Sequence, residues 1–157
     1  MRRYGEPWLP GRPYRDRPGV YAIILGHGPR AGLILTVTQA MEAGPEVQLP
    51  GGGIDPGEQP IAALHREVME ETGWRITAPR RIAAFQRFSF LPDYRYWARK
   101  TQTIYRARAT TQAGPPLEPN HIPLWLPPAE AVDCLSVAGD RAILARFLGL
   151  SGADTLR

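Results

Sequence analysis

Glu67, Glu70 and Glu71 stand three and four residues apart in the run His-Arg-Glu-Val-Met-Glu-Glu-Thr, residues 65–72. On a helix that spacing puts all three carboxylates on one face. Like charges so placed cost an isolated helix roughly 0.2–0.5 kcal/mol per pair, so a partly buried cluster calls for a compensating cation. Hard divalent ions such as Mg²⁺ or Mn²⁺ suit it, because they take carboxylate and carbonyl oxygens and leave positions for water and phosphate. Taken alone, Glu-x-x-Glu-Glu is more often only a solvated acidic face.

The elements around the glutamates are those needed to position them. Pro50-Gly51-Gly52-Gly53 and Pro56-Gly57 form a turn-rich loop before the helix. The helix is predicted to start near Pro60, which suits a first turn, and to stop before Gly73, which can take the left-handed C-terminal conformation. Ile61, Leu64 and Val68 supply an apolar stripe for the core. The three consecutive glycines permit close approach of a ligand.

From Gly52 to Trp74 the residues fit the pattern Gly-x5-Glu-x7-Arg-Glu-U-x-Glu-Glu-x-Gly-U, with U a bulky apolar residue, at Gly52, Glu58, Arg66, Glu67, Val68, Glu70, Glu71, Gly73 and Trp74. At a background of roughly 5–10% per position, a chance match at its seven charged or Gly positions falls below about one in a hundred thousand. The chain therefore resembles a Nudix hydrolase. The motif covers 23 of 157 residues, with Trp74 in a slot more often filled by a smaller aliphatic residue.

The resemblance implies an α/β fold, a Nudix-type α/β/α sandwich with a mixed β-sheet between helices, and metal-assisted attack of water on a pyrophosphate linked to a nucleoside. It implies Glu67, Glu70, Glu71 and the Gly52 carbonyl as metal ligands, and Glu70 as general base or shared ligand. Arg66 and Glu58 resemble the ion pair that ties loop to helix and supports the metal ligands. A further carboxylate from a downstream loop is implied; Glu118 is the candidate and Glu130 the runner-up, each of which could also be a solvated loop acid. His65 and His121 are read as substrate contacts, acid/base groups or bland surface histidines.

Composition bounds the rest. A chain of 157 residues, 43% hydrophobic, fits one domain with a single core. Residues 1–18 are a Pro/Arg-rich arm, extended or partly disordered or packed on a neighbouring subunit of a homodimer; residues 19–150 are the domain and 151–157 a tail. The net charge of +4 rests on 18 Arg and the single Lys100, scattered along the chain. A small nucleotide-type substrate is therefore expected in preference to nucleic acid. Cys134 stands alone, which suits a reducing cytoplasm, and the longest apolar run, Val20 to Leu25, is too short to span a bilayer.

Strands are predicted at Val20–Leu25, Leu33–Thr38, Glu46–Leu49, Ile82–Phe90, Thr101–Ala109 and Ile122–Leu126, with closing helices at Pro128–Leu135 and Asp140–Leu148. The segment Leu91 to Lys100 reads as a loop bearing Tyr94, Tyr96 and Trp97 beside Arg95 and Arg99. Tyr94, Trp97 and Arg99 are the substrate-binding candidates, able to stack on a base and pair with phosphate; Tyr96 and Trp125 could also stack, and any of the rings could be core. Downstream residues match neither the ADP-ribose nor the dinucleoside polyphosphate signature, which leaves the substrate open. A nucleotide sensor with this fold and a hydrolase of RNA ends or other polyphosphates stand as alternatives.

Overall fold

The computed structural model describes residues 1–150; the predicted tail 151–157 lies outside them. In chain order the elements are β1 (Arg2–Gly5), β2 (Tyr14–Asp16), β3 (Gly19–Leu25), β4 (Ile34–Gln39), β5 (Glu46–Gln48), β6 (Gly51–Gly53), α1 (Pro60–Thr72), β7 (Trp74–Leu91), β8 (Tyr96–Gln112), β9 (His121–Leu126), α2 (Pro128–Cys134) and α3 (Ala138–Phe147). All strands join one mixed sheet, ordered β1-β7-β8-β3-β4-β5, with β2 against β8, β6 against β3 and β9 against β4. Strand β3 lies parallel to β8, and β7 antiparallel to it.

The two-residue period of β3 explains the layers. Val20, Ala22 and Ile24 point to one face and pack with Ala63, Leu64 and Val68 of α1. Ile23 points to the other, among Ala131, Val132, Ile143 and Leu144 of α2 and α3. The sheet is thus covered on both sides, as an α/β/α sandwich requires. Burying both faces makes β3 an unbroken apolar run instead of an alternating one.

Helix α1 starts at Pro60 and ends on Gly73, whose φ of 73° is left-handed and whose N–H donates to the Met69 carbonyl. A side chain at Gly73 would also strike the Gly114 carbonyl. The predicted stripe is corrected at one position: Ile61 is 39% exposed, and Ala63 takes the inward place beside Leu64 and Val68. Residue 61 lies in the first turn, where α1 has not yet reached the sheet.

Two further expectations change. The segment 91–100 is not a ten-residue loop: β7 runs to Leu91, β8 begins at Tyr96, and only Pro92 to Arg95 turn the corner. The aromatic residues Tyr96 and Trp97 favour strand, and that preference prevails over the turn residues nearby. The N-terminal arm adds strands to its own sheet, Arg2–Gly5 along Phe85–Phe88 and Tyr14–Asp16 along Trp97–Arg99. Tyr4 and Tyr14 pin it edge-on to Phe85 and Phe88, with ring centroids 5.3 and 5.1 Å apart. No helix among the described residues is long and apolar enough to cross a membrane.

Asp140 of α3 sits buried under β5, where its Oδ2 accepts the Leu49 N–H at 3.4 Å and its Oδ1 has no partner. Burial pushes its carboxyl up to about 7, against the Leu49 N–H and the Arg87 charge, which favour ionisation. A folded-state value above the unfolded value of about 3.9 means its contribution is complete below about pH 4 and is lost as pH rises through 7. Asp140→Asn is therefore expected to match the parent near pH 4 and to exceed it at pH 8, by roughly 4 kcal/mol at most. Unfolding curves of both proteins at the two pH values check this; equal differences at both would contradict it.

Candidate metal centre

Loop, helix and β9 converge at one end of β3. Gly51, Gly52 and Gly53 pair with Tyr21, Val20 and Gly19, so the glycine run is a short strand lying against α1. Gly51 has φ 151° and would drive a side chain into the Val20 carbonyl. A Cβ on Gly52 would occupy the place of the Glu67 carboxylate. Gly52→Ala is thus expected to displace Glu67 and weaken divalent-ion binding by tenfold or more with only a modest drop in Tm. Calorimetric titration with Mn²⁺ checks it, and unchanged affinity would count against it.

Arg66 organises the acids. Its Nε and Nη2 donate to Glu58 Oε2 and Oε1, both at 2.8 Å, its Nη1 to Glu67 Oε1 at 2.9 Å and Glu70 Oε2 at 3.2 Å, and its Nη2 also to the Gly53 carbonyl at 3.0 Å. One guanidinium therefore spans loop, strand and helix, the bidentate work for which Arg is suited and Lys is not. It and the Asp55 N–H hold the Glu58 carboxyl down at about 2.

Glu71 is the buried member. Its Oε2 accepts the Gly51 N–H at 3.1 Å, and its Oε1 faces His121 Nε2 at 3.4 Å. Burial pushes its carboxyl up to about 8; the Gly51 N–H opposes this, while Glu67, Glu118 and Glu70 add repulsion. Burial also raises Glu67, against Arg66 and with Glu70 and Glu118. Carboxylates that resist ionising beside one another are the electrostatic signature of a site built for added positive charge.

Glu118 joins them from the segment before β9. The Leu117 and Glu118 N–H groups both donate to the Glu70 carbonyl, at 2.8 and 3.1 Å, which clamps that segment onto α1. Oxygens of Glu67, Glu70 and Glu118 lie within 4.8 Å of one another, as do ligand atoms of Glu71, Glu118 and His121. Oxygen-rich and partly solvated, this donor set fits a divalent ion of the Mg²⁺ or Mn²⁺ kind. Glu130, the runner-up, is exposed on α2, and His65 is exposed on α1.

The remaining candidates lie elsewhere. Trp97 is five residues along β8 from Gln102, the residue aligned with Gly19 beside Gly53, a span of about 16 Å. It packs edge-on against Tyr14 with the Arg12 guanidinium 3.9 Å from its ring centre. Arg99 forms a two-bond pair with Asp16, at 2.6 and 3.0 Å. Tyr94 is exposed in the turn, and Trp125 packs against Trp74 in the α1 core. Among the described residues no hydrogen bond or ion pair joins Tyr94, Trp97 or Arg99 to the glutamates.

Sequence reasoning missed a groove of about 880 Å³ between the segment Gln39 to Glu46 and Arg87, Pro92 and Asp93. Gln39 at one end is the register partner of His121. Residues from three strands and the loops beside them form it, so no contiguous motif marks it.

A Nudix-domain family model matches residues 15–147. The chain belongs to the Nudix family. It is 34% identical over 82 residues to a Bacillus subtilis protein provisionally named an 8-oxo-dGTP diphosphatase, covering 51% of this chain and 55% of that one. It is 40% identical over 57 residues to an RNA pyrophosphohydrolase of Helicobacter pylori, covering 36% and 37%. A CMP-5'-(N-acetyl-N-hydroxy-3-aminopropyl)phosphonate hydrolase of Streptomyces rubellomurinus is 33% identical over 113 residues, with 68% and 52% covered. The matched segments thus span about half or less of these relatives. A Nudix hydrolase from Nitrosomonas europaea superposes with a TM-score of 0.68 at 16% identity, over 86% of this chain and 90% of that one, a likeness that shows the fold.

Proposed function

We propose that this chain is a divalent-metal-dependent hydrolase that cleaves a pyrophosphate bond in a nucleoside-diphosphate-linked substrate, a nucleoside triphosphate or an NDP conjugate. The observation that carries the reading is the convergence of four carboxylates, Glu67 and Glu70 paired with the Arg66 guanidinium and Glu71 and Glu118 meeting at His121, with Glu118 common to both groups. Mg²⁺ or Mn²⁺ would be held by these carboxylates and the Gly52 carbonyl, and when bound would neutralise phosphate oxygens and acidify water. Glu70, 30% exposed at its side chain and reachable by solvent, takes the proton of the attacking water. Arg66 and Glu58 hold the loop against the helix and keep the carboxylates in place.

The nucleoside end is assigned to the groove beside Gln39 and Arg87, which is large enough for a base and sugar. Tyr94 lies next to its Pro92 and Asp93 wall and remains a stacking candidate. Trp97 and Arg99 already have partners in the N-terminal arm, which favours a structural role for them. The lone cysteine supports a cytoplasmic setting.

A panel of nucleoside triphosphates, NDP conjugates and 5'-triphosphorylated RNA, incubated with Mg²⁺ or Mn²⁺, tests the proposal. Cleaved products are expected from at least one nucleotide class. Tight binding with every ligand recovered intact would make the chain a sensor, and cleavage confined to RNA ends would move the substrate to that class.

A further inference from the structure

Arg66 and Arg99 have their forks filled by carboxylates, Arg66 by Glu58, Glu67 and Glu70 and Arg99 by Asp16. A second basic group, on the α2–α3 side of the sheet, does not. Phe85 of β7 and Ile104 of β8 pack beneath α2 and α3, and the two-residue period puts Arg87, Ser89, Lys100 and Gln102 on that same face. Arg87 and Lys100 are register partners, so their side chains are neighbours across the strands. Arg17, just after β2, donates its N–H to the Arg99 carbonyl at 2.9 Å, next to Lys100.

The charges in this group do not balance. Arg87 meets Glu46 by a single 3.5 Å contact, longer than the roughly 2.7–3.2 Å of a good N–H···O bond. Lys100 is half-buried and forms no ion pair or hydrogen bond among the described residues. Burial and the Arg87 charge push its ammonium pKa down, Glu46 opposes them, and Arg17 adds to the push. Arg17 donates to the Tyr96 hydroxyl at 3.1 Å, a neutral partner that leaves its charge uncompensated. Asp140, the other carboxyl that feels Arg87, is kept neutral by burial below about pH 7, and Asp93 is exposed in the turn. Three cations therefore share one carboxylate, Glu46. Beside them the Ser89 Oγ is buried without a partner.

This group stands where a substrate would extend. Arg87 and Glu46 line the groove of about 880 Å³ whose other end, at Gln39, adjoins His121. Lys100 is two residues along β8 from Gln102, which aligns with Gly19 beside Gly53, so its backbone lies on the order of 12 Å from the glycine strand.

We propose that Arg87, Lys100 and Arg17 form a subsite for a phosphate monoester borne by the group in the groove, so that the preferred substrate is an NDP conjugate with a second, terminal phosphate and not a plain nucleoside triphosphate. The inference rests on the hydrolase reading above and narrows its substrate. A phosphate monoester carries about −1.5 to −2 at pH 7 and three acceptor oxygens, which matches three cations less one carboxylate; a carboxylic acid brings less charge and fewer acceptors. The guanidinium fork of Arg87 suits two phosphate oxygens, and Lys100 supplies a point charge. A neutral sugar would leave these half-buried cations unmatched, and that difference is what discriminates.

The test reads binding in chelator first, so it does not depend on the metal. Calorimetry of the full chain with AMP, adenosine 2',5'-bisphosphate and adenosine 3',5'-bisphosphate is expected to show at least one bisphosphate bound about tenfold tighter than AMP. Lys100→Met and Arg87→Gln are each expected to cut that ratio to about threefold or less. Both affinities in a ratio come from one preparation, so any loss of folded protein cancels. Equal binding of all three nucleotides by the parent, or no binding of any, would overturn the proposal, as would parental discrimination in both variants. With Mn²⁺ present, kcat/KM is expected to favour NADP⁺ over NAD⁺ or coenzyme A over its dephospho form. If the bisphosphate is preferred in binding but no pyrophosphate is cleaved, the hydrolase reading falls and the subsite stands; if pyrophosphates are cleaved with no preference in either measurement, only the subsite falls.

Discussion

Glu71→Gln is expected to lower turnover by roughly three orders of magnitude while making the metal-free protein more stable. The two effects share one cause. Glu71 is a buried carboxylate aimed at a cluster of its own sign, so its ionisation opposes the fold until a cation arrives. Glutamine keeps the shape and an oxygen to accept the Gly51 N–H, but removes the charge. Because the folded carboxyl is pushed up to about 8, the metal-free parent loses stability as pH rises from about 4.5 towards 8, and the variant escapes this loss. Losing a ligand charge weakens the ion and the water it activates together, hence the large kinetic effect. Steady-state kinetics with Mn²⁺ and unfolding in chelator at pH 5 and 8 check both halves. A variant that keeps parental turnover would remove Glu71 from the site.

Arg66→Ala is expected to be the most damaging single change outside the candidate ligands. It strips the partner from Glu58, Glu67 and Glu70 and releases the Gly53 carbonyl at the same time. The pair with Glu58 is only partly buried and is screened by solvent, so the stability loss should be moderate. The loss in kcat should be larger, a hundredfold or more, because loop and helix no longer share a brace. Arg66→Lys separates charge from geometry: one ammonium cannot reproduce the fork between Glu58, Glu67 and Glu70. The lysine variant is expected to recover much of the stability and little of the activity. Equal recovery of both would mean that Arg66 acts through charge alone.

What was legible in the chain was local. The spacing of Glu67, Glu70 and Glu71, the Pro60 start and the Gly73 stop of α1, and the Glu58–Arg66 tie all lie within 23 residues, where helical period and capping decide the geometry. The β3 face pattern was readable for the same reason. Glu118 was within reach only as one of two loop acids, because its place depends on the Glu70 carbonyl holding the segment before β9. His121 reads as a substrate contact, an acid/base group or a surface histidine, and nothing local says that β9 turns it inward between Glu71 and Glu118.

The hairpin shows the opposite failure. Pro92, Asp93 and the surrounding charges signal a loop, yet residues 96–100 continue the strand, and alternation then puts Trp97 and Arg99 on the α1 face beside the arm. The prolines of the arm read as an extended or partly disordered segment, or one packed on a neighbouring subunit. Strand pairing with β7 and β8, separated from it by 83 residues in sequence, is a tertiary effect that no window over residues 1–18 contains.

The central claim is that these carboxylates hold a divalent ion with which water cleaves a pyrophosphate. It is tested most directly by incubating the parent chain and Glu71→Gln with nucleoside triphosphates and NDP conjugates in ¹⁸O-labelled water, with Mn²⁺ or with excess chelator, and analysing the products by mass spectrometry. The account predicts one ¹⁸O in a single phosphate product, formed only by the parent chain and only with metal. Cleavage that persists in chelator, or at the same rate in Glu71→Gln, would contradict it.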